Sequence, residues 1–105
     1  MKTQDLTGPA LDWAVEEALG GDHTYRPREY STDWSQGGPI IERERICLTR
    51  PRWDGWWTAL LTYEDRSFDG ITSVEFDGPT PLIAAMRCFV ASRLGDTIDI
   101  PEELQ

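Results

Sequence analysis

The stretch Ser31-Thr32-Asp33-Trp34-Ser35-Gln36-Gly37-Gly38 sets hydroxyl, carboxylate and amide groups beside an indole and two consecutive glycines. Such a set suits a small, flat, polar ligand. Ser31, Thr32, Asp33 and Gln36 supply donors and acceptors, Gly37 and Gly38 allow close backbone approach, and Trp34 supplies an aromatic wall. The same residues also describe a turn whose polar side chains satisfy its own backbone, and the sequence leaves both readings open. Downstream, a basic island of Arg43, Arg45, Arg50 and Arg52 runs into Trp53, Trp56 and Trp57. Guanidinium forks beside π-faces are what stacking a base and pairing with its phosphate require. Two plainer readings compete: Trp56 and Trp57 alternate faces if they begin a strand, so that at least one enters the core, and Arg43 and Arg45 pair with Glu42 and Glu44 on a solvated face.

Enzyme templates fail in turn. The single histidine, His23, sits in the polar stretch Gly-Gly-Asp-His-Thr-Tyr, where a lone histidine is more often solvated than catalytic, and neither cysteine lies near it in sequence. Cys47 and Cys88 occur in separate elements and read as small core residues. Gly37-Gly38-Pro39 lacks the lysine and the strand–glycine–helix setting of a phosphate loop, and the many carboxylates lack metal-loop spacing. No catalytic residue, metal site or cofactor is assigned. Recognition is what remains.

The 105 residues fit a single domain, 1–105, able to bury a core without a metal or disulfides. The net charge of −9 is uneven: residues 43–52 hold four arginines against one glutamate, while both flanks are strongly acidic. A surface this negative repels a phosphate backbone, so duplex nucleic acid is disfavoured as a partner. The longest apolar runs are too short for a membrane span and the N-terminus lacks the order of a secretory signal, which gives an expected cytoplasmic location.

These residues must be positioned by a small set of elements. Leu11, Ala14, Val15, Ala18 and Leu19 repeat at helical spacing over 9–19, with Thr7 to cap, Pro9 in the first turn and Gly20-Gly21 to stop. Trp13 falls on the opposite face and is assigned either to a covering loop around Tyr25 and Trp34 or to a subunit contact or ligand platform. Residues 20–39, rich in Gly, Pro, Ser, Thr and Asp, read as an ordered irregular loop. Strands are expected at about 46–49, 56–63 and 71–76, the last two as a hairpin. Thr80, Pro81 and Gly95 frame a helix over 81–94 that is apolar nearly all round, and 97–100 adds a short edge strand closed by Pro101. The predicted class is α+β: a small antiparallel sheet of about three to four strands, packed with an N-terminal helix and a long buried C-terminal helix. So small a chain has little left to cover both sides of that helix, which leads us to expect a homo-oligomer with Trp13, Arg87 and Phe89 at its interface.

The runs "LTGPALDWAV", "STDWSQGGPIIERE" and "GPTPLIAAMRCFVASRLGD" together resemble the NinX-like family of small tailed-phage and prophage proteins of unknown function. The resemblance spans nearly the whole chain, is most specific at Asp33-Trp34 and Gln36 to Ile41 and from Gly78 to Gly95, and lapses between Tyr63 and Asp77. It implies a phage accessory protein acting in the host cytoplasm and brings no catalytic residues. By analogy with small phage proteins that sequester the nucleotide signals of host immunity, it implies a non-enzymatic protein that binds a small nucleotide-like ligand. Ser31, Thr32, Asp33, Trp34, Gln36, Gly37 and Gly38 would line the pocket, with Arg43, Arg45 and Trp53 at the phosphate and base. Two rivals stand beside it. One is an acidic inhibitor that uses the −9 surface and Trp13 to occupy a basic site on a host enzyme; the other is an enzyme on a nucleotide, using Asp33 or His23.

Overall fold

The computed structural model describes residues 1–21, 23, 28–49, 51–65 and 70–105, with the side chains of 64, 65, 70 and 71 excepted. Tyr25 and Arg50, both singled out above, lie outside the described residues. After a 3-10 turn at Thr3–Asp5 come helix α1 (Gly8–Ala18), helix α2 (Trp34–Glu44), strands β1 (Cys47–Leu48), β2 (Trp57–Asp65) and β3 (Gly70–Gly78), helix α3 (Pro81–Leu94) and a closing 3-10 turn at Glu102–Leu104. The strands form one antiparallel sheet in the order β1-β2-β3, and the arrangement is α+β, with the C-terminal helix packed on the sheet.

Alternation decides which face of the sheet is dry. Ala59 and Leu61 of β2 stand opposite Phe76 and Val74 of β3 and turn toward α3, while Thr62 faces Ser73 on the exposed side. Leu48 of β1 packs on the core, and its neighbour Cys47 therefore points out and is exposed. Cys88 alone fulfils the expectation of a core cysteine; burial pushes its thiol up to about 12.

Helix α3 is the hub. The Thr80 hydroxyl accepts the Ile83 N–H at 3.1 Å, Pro81 fills the first turn and Gly95, at φ +89°, ends it. Its sides are covered by β2, β3, α1, α2 and the first 3-10 turn of the same chain. Phe89 is fully buried and Arg87 is 4% exposed. Both are covered from within the chain, which removes the ground for expecting a partner copy on that helix. The assumption that failed is that a chain this size lacks material to wrap both sides.

Three local expectations also change. Thr7 occupies the N-cap of α1 but its side chain makes no capping bond. Residues 95–98 do not extend the sheet; they pair with the N-terminus, where Thr3 N–H donates to the Asp96 carbonyl, Ile98 N–H donates to the Met1 carbonyl and Lys2 bridges Thr97. Most consequentially, the expected loop 20–39 gives way at Trp34 to α2, which runs through Gly37, Gly38 and Pro39. Asp33 starts it by accepting the Ser35 N–H at 2.9 Å. Pro39 has no N–H to offer the Ser35 carbonyl one turn back, but both residues are exposed, so water can take that bond. Gly37 is required by packing, because a Cβ there would clash with the Tyr30 carbonyl oxygen and come within 2.7 Å of the Leu82 side chain.

Two expected outcomes follow from this geometry. Gly37→Ala should lose about 1–3 kcal/mol through overpacking. Gly38→Ala meets nothing closer than 3.7 Å and should be neutral or gain up to about 1 kcal/mol from helix propensity. Urea denaturation of the two variants separates a packing glycine from a permissive one. With a thiol reagent at neutral pH, Cys47 should react at once and Cys88 only on unfolding, which mass spectrometry of the labelled peptides will show.

Candidate functional site

The residues proposed from sequence to line a pocket are brought together, but mostly to build α2. Both the Ser35 hydroxyl and its N–H donate to Asp33 Oδ1, and Gln36 Nε2 donates to Asp33 Oδ2 at 2.8 Å. The other end of the Gln36 amide accepts the Glu29 N–H at 2.8 Å. These bonds hold the Asp33 carboxyl below its ordinary range, with the Ser35 hydroxyl the largest influence. Ser31 is buried, and its N–H donates to Asp12 Oδ1 at 2.9 Å. Gly37 faces the protein's own backbone, while Trp34 and Thr32 remain exposed. The capping arrangement thus accounts for most of the set that could have greeted a ligand.

Nor do the arginines converge on it. Arg43 and Arg45 stand at the far end of α2, about 15 Å along the helix from Asp33 at 1.5 Å per residue. Arg43 Nε reaches Glu44 at 3.1 Å, and Glu44 also accepts from Arg93 at 2.9 Å. Arg45 ends the helix in the left-handed region at φ +55°. Arg52 is spent on a turn: it contacts Asp54 through Nε and Nη2 and Asp77 through Nη1. Trp53, at the tip of that turn, is 98% exposed. Trp13 is partly buried and covered by His23, the rings stacked 4.5 Å apart, with His23 Nε2 2.7 Å from Glu17. His23 thus covers Trp13; Tyr25, around which the covering loop was expected, lies outside the described residues.

A broad concavity lies elsewhere. An open cleft of about 810 Å³ runs between the N-terminal segment, Asp96 with Thr97, and the last residues of β3. Four carboxylates border it, Asp5, Glu75, Asp77 and Asp96, with Trp56 on one wall. Two cations also line it, Lys2 and the buried Arg87. Arg87 Nε donates to the Leu6 carbonyl at 2.9 Å and Nη1 to the Asp77 carbonyl at 2.7 Å. Burial pushes its pKa down while the Asp5 and Asp77 carboxylates push back. Carboxylates thus outnumber cations two to one, beside an aromatic face: a setting for a cationic group. Among the described residues no three His, Cys, Asp or Glu side chains converge as a metal site would need, and no helix is long and apolar enough to cross a membrane.

Of these cleft residues the sequence reading had marked Trp56, as part of the tryptophan cluster, and Arg87, for a different role. The carboxylates are scattered from residue 5 to residue 96, and nothing in their local spacing announces that they meet. The available signal was Arg87 itself, a cation inside the apolar run from Leu82 to Val90. Such a charge must find partners indoors.

Asp12 offers a pH-dependent check on the ground beneath α2. Burial holds its carboxyl above the ordinary range, against the bond from the Ser31 N–H. A raised acid keeps its proton in the folded state where the unfolded chain has released it, so its contribution to stability falls as pH rises through that window. Asp12→Asn keeps an acceptor for the Ser31 N–H and cannot ionise. The stability of wild type minus that of the variant should therefore decline as pH rises above the ordinary carboxylate range of about 4, measured by urea denaturation; a flat difference would remove Asp12 as a titrating group.

A family model described as Bacteriophage P22, NinX matches residues 21–93. The match takes in α2, the sheet and most of α3, and leaves α1 outside, although "LTGPALDWAV" contributed to the resemblance noted from sequence. No curated protein matches the chain. With well over half its length aligned to that model, including the Asp33-capped helix and the hub helix, the chain belongs to the bacteriophage P22 NinX family and is a phage accessory protein.

Proposed function

We propose that the chain acts without catalysis, by presenting its acidic cleft to a basic segment of a host protein. The observation that carries this is the ring of Asp5, Glu75, Asp77 and Asp96 around the cleft, beside Trp56. A lysine or arginine side chain entering there would meet carboxylates and an aromatic face together, and the net charge of −9 would speed its approach. The small nucleotide-like ligand has weaker support. The Ser31–Gly38 set spends its polar groups on capping, and Arg43 and Arg45 stand a helix-length away. Its best remaining place is this same cleft, where Trp56 could stack a base and Lys2 with Arg87 meet a phosphate, against repulsion from four carboxylates.

One titration distinguishes the two. An arginine-rich octapeptide serves as the basic probe, and cyclic dinucleotides, cyclic ADP-ribose and NAD serve as the nucleotide probes. The peptide should bind with strong salt dependence and lose about tenfold in affinity in Glu75→Gln/Asp96→Asn, whereas Glu102→Gln/Glu103→Gln, of equal charge but outside the cleft, should not matter. Equal losses in both double variants would mean unspecific attraction and defeat the proposal. A nucleotide that raises the melting temperature by 10 °C or more, on the order of that expected for a ligand far above its Kd, would reinstate sequestration.

A further inference from the structure

We infer that the turn Pro51–Trp56 is a pre-formed anchor that inserts Trp53 into an apolar slot with a basic rim on a partner protein. The inference rests on the protein-binding reading above and adds the residue that would carry most of the affinity. Among the five tryptophans, Trp13 stacks on His23 and Trp57 packs on the core, while Trp34 and Trp56 are each partly covered. Trp53 is 98% exposed and contributes almost nothing to burial. The fold has no use for an indole there.

The turn beneath it is nonetheless firmly built. Arg52 N–H donates to the Trp56 carbonyl at 2.8 Å and Gly55 N–H to the Arg52 carbonyl at 2.8 Å, with Gly55 at φ +85°, where a side chain would be strained. Asp54 accepts from the Trp56 N–H at 3.0 Å and from the Arg52 guanidinium, which also grips Asp77 of β3 at 3.0 Å. A turn held by its own backbone bonds and by a charged clasp to the neighbouring strand presents its tip in a fixed place. Little ordering entropy is then left to lose on binding.

The surroundings specify the partner. Arg52 is tied to Asp54 and Asp77, and Asp77 and Trp56 line the acidic cleft, so the anchor and the cleft form one continuous surface. An indole whose neighbouring arginine is paired to Asp54 and Asp77, and which adjoins the acidic cleft, fits an apolar slot bordered by lysine or arginine. A second copy of this chain, itself at −9, would be repelled, and so would an anionic membrane surface. Tryptophans that fill such slots are among the residues that dominate binding energy at interfaces.

The test places a photo-crosslinking amino acid at position 53 of the full chain in the host bacterium, with the exposed position 103 as control. The expected result is one host protein joined only from position 53, with the crosslink mapped to an apolar slot edged by Lys or Arg. With that protein purified, Trp53→Ala should weaken binding about 30-fold or more, and Trp53→Phe by less, with melting temperatures unchanged. Crosslinks only to a second copy or to lipid, or the same products from positions 53 and 103, would overturn the inference. If Trp53→Ala binds as wild type while Glu75→Gln/Asp96→Asn is weakened, the anchor falls and the acidic-cleft reading stands. If neither variant changes affinity, both fall.

Discussion

The guanidinium of Arg87, held between the carbonyls of Leu6 and Asp77, is the interaction on which the architecture turns. It sits in the middle of a helix whose residues from Ala84 to Ala91 are otherwise apolar and buried. Taking such a charge out of water costs several kcal/mol unless its donors are met. Here they are met by two carbonyls distant in sequence, one in the link from the first 3-10 turn to α1 and one near the end of β3. The bonds fix where the N-terminus and the sheet stand relative to α3. The Asp5 and Asp77 carboxylates offset the charge from the cleft side. Folding the chain and flooring the cleft are therefore one event: the cation that closes the core is the cation the cleft is built around.

Much of this was legible where local rules act alone. Thr80, Pro81 and Gly95 mark both ends of α3, and the Leu11-Ala14-Val15 stripe gives α1 its buried face, because capping and periodicity are properties of a few adjacent residues. The β2–β3 pair was readable for the same reason. Helix α2 was not, since Gly37-Gly38-Pro39 has the composition of a turn, and its helicity depends on the Asp33 cap and on Gly37 fitting against Tyr30 and Leu82. The Tyr30 contact follows from the path of the preceding chain and the Leu82 contact from tertiary packing. The polar residues that looked like a ligand rim were the solution to a folding problem, that of starting a helix rich in breakers.

The cleft was illegible for the opposite reason. Asp5, Glu75, Asp77 and Asp96 are brought together by the pairing of residues 1–3 with 95–98 and by the register of β3 against β2. The sequence reading had sent residues 97–100 to the sheet edge, which would have left that wall unformed. The reason for expecting an interface at Arg87 and Phe89 fell away in the same manner. An all-apolar helix does demand cover on every side, but α1, α2 and the N-terminal turn supply it from within the chain.

The acidic wall is also more than the fold requires. Asp77 binds Arg52 and Thr58, and Asp5 helps balance Arg87. Glu75, on the exposed face of β3, and Asp96, whose backbone carbonyl does the structural work, have no side-chain hydrogen bond among the described residues. Like charges gathered around one opening, on a chain already at −9, repel one another and oppose compaction. Neutralising Glu75 and Asp96 should therefore leave stability unchanged or raise it. On the protein-binding reading proposed above, a basic partner would relieve that repulsion on docking, and strain carried by the free protein would become affinity in the complex.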